Sequence, residues 1–160
     1  MAKKGKKEEG KRKISIVNRK AKFEYQFISE LEVGIILTGT EIKSIRAGEA
    51  NLKEAYCMFI RGELFIKNMY IAPYKYGTHN NHEVRRDRKL LLKKTELKKF
   101  ERRVKEKGFT IVPYKLFISD RGFAKIEIAL ATGKKQYDKR ATIKDRENKR
   151  DLDRIKKEHG

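Results

Sequence analysis

The sequence predicts a mainly β protein with short helices: an OB-like antiparallel β-barrel with a disordered basic C-terminal tail. Three observations predict it. Leu31, Val33, Ile35 and Leu37 alternate, as do Ala124, Ile126, Ile128 and Leu130, which is the period of half-buried strands. Turn signals at Arg61-Gly62-Glu63 and Ser119-Asp120-Arg121-Gly122 each join two β-rich runs. From Lys134 onward, eleven Lys/Arg stand against six Asp/Glu, and the apolar residues are few: Tyr137, Ala141, Ile143, Leu152 and Ile155. Packing so few side chains does not offset the entropy of ordering the segment.

In order, residues 1–13 are a Lys/Gly/Glu run with no apolar period and read as a disordered basic arm. Ile14–Val17 reads as a short strand-like piece or an anchor, and Asn18 is placed to cap a helix from Arg19 through Tyr25. A strand follows over Leu31–Leu37, with Gly34 and Gly39 marking a bulge or sharp coiling. Gly39–Arg46 reads as its continuation, turning near Ala47-Gly48-Glu49. Tyr56–Ile60 and Leu64–Ile71 form a hairpin that Pro73 ends. Lys75–Arg88 has no period and is a loop. Lys89–Lys94 leads into a helix starting at Thr95, with Leu97, Phe100 and Val104 on one face and Gly108 after its end. Phe109–Val112 with Tyr114–Ile118, and the return strand from Ala124, make a second hairpin. About six strands with many glycines close most easily into a small barrel. The organisation is thus an arm (1–13), a barrel (14–133) and a tail (134–160).

The formal charge of +20 and pI near 10.0 exceed what solubility needs and point to a polyanionic partner. The first 22 residues hold ten Lys/Arg and two Glu, so both ends of the domain carry cations. Cys57 is the only cysteine and sits in an apolar run, as a reduced core thiol does; a cytoplasmic location fits it. No membrane span, secretory segment or myristoylation pattern is visible.

His79-x-x-His82 with Cys57 is a poor zinc signal, because no second ligand pair accompanies it. P-loop, GxSxG and HExxH motifs are absent. No carboxylate pair stands apart from Lys and Arg, so neither catalysis nor a cofactor is expected. The positive signal is rings among cations. Phe23, Phe27, Phe59 and Phe100 read as core. Tyr74, Tyr76 and Tyr137 read as contacts, with Arg85, Arg86 and Arg88 beside the first two; rings stack on bases while cations neutralise phosphates. From Ala141 to Glu158 the tail has no Gly or Pro, yet an isolated helix of that length is marginal in water. It is expected to be disordered when free and helical against RNA.

Three segments are specific enough to carry a resemblance. They are Asn18-Arg19-Lys20-Ala21-x-Phe23-Glu24-Tyr25, continuing through Glu32-x-Gly34-Ile35 to Gly39-Thr40-Glu41-Ile42-Lys43-Ser44-Ile45-Arg46; then Arg86-x-Arg88-Lys89-Leu90-Leu91-Leu92; and Gly133-Lys134-Lys135-Gln136-Tyr137-Asp138-Lys139-Arg140. In order and spacing the chain resembles the SsrA-binding protein (small protein B) family, partner of bacterial transfer-messenger RNA. The resemblance implies an OB-like barrel that holds the tRNA-like domain of that RNA. It also implies delivery with EF-Tu and GTP to stalled ribosomes, where the tail enters the empty mRNA channel and the nascent chain is tagged. By position, Asn18, Glu32 and Leu91 match RNA-binding residues, with Arg19, Lys20 and Lys89 beside them. Asp138, Lys139 and Arg140, preceded by Lys134 and Lys135, match the motif needed on the ribosome, and Ile155 an apolar position that seats the tail. Tyr137 stands where the family often has His; it keeps stacking but gains no charge near neutral pH. A monomer is expected. The alternatives are a structural ribosomal protein, which would stay with ribosomes through high-salt washes, and an OB-fold nucleic-acid enzyme, which would need a carboxylate cluster.

Overall fold

The computed structural model describes residues 14–134 and 136–159, with side chains from 14–134 and 139–159. In chain order the elements are β1 (Ser15–Val17), α1 (Arg19–Glu24), β2 (Tyr25–Ile35), α2 (Gly39–Arg46), β3 (Ala50–Asn51), β4 (Tyr56–Ile60) and β5 (Glu63–Lys67). Then come β6 (Tyr70–Ile71), β7 (Arg88–Leu91), α3 (Lys94–Lys107), β8 (Thr110–Ile118), β9 (Ala124–Gly133) and α4 (Gln136–His159). The main sheet runs β1-β8-β4-β5-β7-β2-β9, all antiparallel, and β9 also pairs with β8, which curls the sheet into an OB-like barrel. The β4–β8 seam carries a single registered pair, Cys57 with Ile111, so the barrel is left partly open there. A small β3–β6 sheet stands beside it.

Alternation places Val33, Ile35, Ile66, Leu90, Leu116, Ile126, Ile128 and Leu130 inside. Phe100 of α3 reaches into this core, with Leu97 and Val104 packed on it. Gly108 ends α3 at φ +63°, its N–H donating to the Val104 carbonyl at 3.1 Å, as its sequence position predicts. The β4–β5 hairpin turns on Arg61 (φ +51°) and Gly62 (φ +77°), the left-handed pair a two-residue hairpin turn requires.

Several expectations need correction. Gly39–Arg46 is helical, because Glu41 falls three residues after Thr38. The Thr38 N–H donates to Glu41 Oε1 at 3.3 Å and its hydroxyl to the same oxygen at 3.1 Å, while Ile42 and Ile45 turn to the core. The β2 bulge sits between Phe27 and Ser29, not at a glycine. Leu64–Ile71 is broken at Asn68 (φ +61°), so Tyr70–Ile71 joins the small sheet instead. The segment read as leading into a helix is in part the strand β7, which bonds β2 on one side and β5 on the other. Gln136–His159 is one 24-residue helix, α4; this does not test the expectation for the free tail. The arm 1–13 and Lys135 lie outside the described residues.

Candidate nucleic-acid interface

The outer faces of β7, β2, β9 and β8 form one surface. Gly34 is opposite both Leu91 and Lys125, Lys125 is opposite Phe117, and Glu32 is opposite Glu127, which is opposite Lys115. A Cβ at Gly34 would lie 3.4 Å from the Leu91 Cβ, so the leucine leans over bare backbone, 52% exposed. Around it, Lys125 Nζ meets Glu32 Oε1 at 3.1 Å, Lys89 Nζ meets Glu63 Oε1 at 2.8 Å, and Lys115 lies 5.5 Å from the Phe117 ring. Strand pairing thus gathers Glu32, Lys89 and Leu91, which are far apart in the chain, into one patch. An apolar side chain among charged neighbours, open to solvent, is a site for a ribose or base face; the carboxylates accept from base or 2′-OH donors.

Farther along the same face, α1 covers Val112, Tyr114, Ala129 and Ala131 with Ala21. The Tyr114 hydroxyl donates to Glu30 Oε2 at 3.1 Å, and Lys22 lies 5.3 Å from its ring. Burial, then the Glu127 and Glu30 carboxylates, push that phenol well above its ordinary range, so it remains a donor. Asn18 anchors α1. Its Oδ1 accepts from the Ala21 N–H at 3.3 Å, its Nδ2 donates to the Leu52 carbonyl at 3.1 Å, and its N–H donates to the Tyr114 carbonyl at 2.7 Å. Its side chain is committed and buried, so it positions Arg19 and Lys20, which are exposed. Lys20 borders a cleft of about 320 Å³ with Tyr25, Lys53 and Tyr56. Lys53 is shared with a second cleft of about 270 Å³ that adds Tyr70 and Arg85. The Arg85 guanidinium lies 5.6 Å from the Tyr70 ring. Rings and cations are interleaved there, as stacking with phosphate neutralisation needs.

Arg88 is placed differently from the expectation. Its side chain is fully buried and pairs through Nε with the fully buried Glu41, while Nη1 donates to the Met69 carbonyl at 2.7 Å and Nη2 to the Val84 carbonyl at 3.3 Å. Its donors are taken up inside the protein, where it fastens the 72–87 loop to the barrel. Arg86, partly exposed, donates to the other Glu41 oxygen at 2.7 Å. Burial pushes the Glu41 carboxyl up, but hydrogen bonds from Arg88 and Arg86 outweigh it and hold it below the usual carboxylate range. His82 belongs to the same loop. Its Nε2 is 3.0 Å from the Ile71 carbonyl and its Nδ1 2.9 Å from the Thr40 hydroxyl, so both ring nitrogens serve the loop. Tyr74 and Tyr76 meet edge-on at 5.7 Å, with Lys43 and Lys75 by their rings, and Tyr76 projects into solvent. Cys57 is buried, and burial raises its thiol far above the reactive range. Among the described residues no helix is long and apolar enough to cross a membrane, and no cluster of His, Cys, Asp and Glu could hold a metal.

In the tail, Lys134 Nζ reaches the Thr142 hydroxyl at 3.4 Å, and Arg146 lies 5.5 Å from the Phe23 ring. Lys139 is half-buried; Arg140, Leu152 and Ile155 are exposed. The side chains of Tyr137 and Asp138 lie outside the described residues. Lys115, Phe117 and Lys125 belong to the face, though the sequence carries no motif that marks them. The alternation of Ala124, Ile126, Ile128 and Leu130 turns Lys125 outward, yet only cross-strand register shows that it meets Glu32.

Fold and site together define a basic OB-like barrel of the RNA-binding kind. The model of the family described as SmpB protein matches residues 15–158. An SsrA-binding protein of Phocaeicola vulgatus is 56% identical over 142 residues, covering 89% of this chain and 95% of its own. One from Christiangramia forsetii is 56% identical over 149 residues, covering 93% and 95%. A solved structure described as "tmRNA-SmpB: a journey to the center of the bacterial ribosome" superposes with a TM-score of 0.65 at 44% identity, covering 77% of this chain and 86% of that one. The chain belongs to the SmpB protein family.

Proposed function

We propose that this protein is an RNA-binding adaptor of trans-translation: it binds the tRNA-like domain of transfer-messenger RNA and brings it to stalled ribosomes. The observation that carries this is the outer barrel face, where pairing of β2 with β7 sets exposed Leu91 over Gly34 beside Glu32, Lys89 and Lys125. Arg19 and Lys20 on α1 extend that face, and Arg86 borders it through Glu41. Asn18 acts by holding α1. The protein works in the cytoplasm as a monomer, without cofactor or catalysis of its own, and meets EF-Tu and GTP through the RNA.

The tail is the ribosome-facing part. Its helix carries Lys139 and Arg140 near the root and Ile155 near the end, and it touches the barrel lightly enough to release and reorder against ribosomal RNA.

Two measurements test the division of labour. Leu91→Ala removes an exposed side chain; burying it on RNA is worth roughly 1.5 kcal/mol, so affinity for the tRNA-like fragment falls about tenfold. Asp138, Lys139 and Arg140 changed together to Ala leave that affinity within about threefold and abolish tagging. Equal loss of RNA affinity and tagging in the triple variant would contradict the assignment.

A further inference from the structure

Lys99, Arg102, Arg103 and Lys107 line a cleft of about 580 Å³ with Ile28 and Phe109, and its one carboxylate is Glu106. Several other cations are matched: Lys89 with Glu63, Lys125 with Glu32, Arg86 and Arg88 with Glu41, Lys67 with Asp87 and, on α3 itself, Lys105 with Glu101. None of the four groove cations has a carboxylate within ion-pair distance among the described residues. A matched lysine must exchange its carboxylate for a phosphate. An unmatched one exchanges only mobile counterions, whose release favours binding.

The geometry suits a strand of backbone. Positions 99, 102, 103 and 107 recur at three- and four-residue steps, so they share one helix face. Leu97, Phe100 and Val104 pack into the core along an adjoining stripe, with Lys107 at its edge, so the helix cannot turn. From Lys99 to Lys107 the helix rises about 12 Å. At about 3.4 Å of axial rise per nucleotide, that covers roughly three to four phosphates.

Location separates this groove from the barrel face. Ile28 is six residues along β2 from Gly34, about 20 Å from where Leu91 lies. It is three residues from Tyr25, which pairs with Gly133 just before the chain enters α4. The groove therefore belongs to the end of the barrel from which the tail departs. We propose that the α3 groove is a second RNA site, which takes the phosphodiester backbone of ribosomal RNA. This rests on the reading of the tail as the ribosome-facing part.

The test measures full-length protein alone on vacant ribosomes and, separately, on the tRNA-like RNA fragment. The variant K99Q/R102Q/R103Q/K107Q is expected to lose at least about tenfold in ribosome affinity near 100 mM salt, and its salt slope to fall by about three. Its affinity for the fragment is expected to change less than about threefold. Unchanged ribosome binding overturns the proposal, and so does an equal loss on both RNAs. Should that variant not fold by circular dichroism, Glu106→Gln decides: removing the groove's carboxylate is expected to tighten ribosome binding about two- to threefold, and unaltered or weaker binding overturns the proposal. Retention of the fragment by wild-type protein is a separate arm that decides the adaptor reading; the groove is decided by the ribosome arm whichever way that falls.

Discussion

Two residues close together in sequence, Arg88 and Leu91, point opposite ways from one strand and do opposite work. Arg88 turns inward, where a guanidinium survives only because Glu41 and three loop carbonyls take up its donors. Removing one partner strands the other charge, so Arg88→Met is expected to cost about 3–5 kcal/mol in urea unfolding. Leu91→Ala changes stability within about 0.5 kcal/mol. The pair also sets a pH signature. Glu41 titrates below its unfolded value of 4.5, so its contribution is present above that pH and is lost as pH falls through the lowered folded value. The gap in stability between wild type and Glu41→Gln is therefore expected to be widest near neutrality and to shrink as pH drops below about 4.5. A gap that holds constant down to pH 3 would show that the carboxylate's charge is not what the arginines hold.

At the scale of elements, Asn18 ties α1 to the barrel by a cap and by the Leu52 carbonyl. Asn18→Ala is expected to cost about 1 kcal/mol for the cap and about 1–3 more for the stranded carbonyl. RNA affinity should then fall through misplaced Arg19 and Lys20; the conservative Asn18→Asp, which keeps the acceptor oxygen, is expected to restore part of it. Elements that declare themselves locally were legible in the sequence: the Asn18 cap, the Arg61-Gly62 turn, the Gly108 terminus and the alternating strands. The helix at Gly39–Arg46 hid because period-two residues Ile35 and Leu37 run up to it; the Thr38-x-x-Glu41 spacing was the signal that marked its start. β7 hid because four residues between a loop and a helix have no period of their own, and only pairing with β2 and β5 makes them a strand. The site divides on the same line. Glu32, Lys89 and Leu91 carried a family pattern, but that they share one face, and that Arg88 does not, depends on register and on a buried carboxylate 47 residues away.

For the whole molecule, the cations of the described residues fall on surfaces that differ in how far they are already neutralised. The barrel face keeps carboxylates beside its lysines, so RNA bound there gains more from shape, stacking and hydrogen bonds and less from counterion release. The α3 groove, and the tail with eleven cations to six carboxylates, are expected to act mainly through phosphate. Salt therefore separates the two partners. An RNA contacting 6–10 phosphates loses about 10³–10⁵ in affinity between 50 and 200 mM salt, and the ribosome is expected to approach that limit. The tRNA-like fragment should show a shallower slope, by about one for each cation that a glutamate already holds. Filter binding of both RNAs to the same full-length protein across that salt range checks it. Parallel slopes would mean that the carboxylates of the barrel face give way on binding, and that its lysines are as free for phosphate as those of the groove.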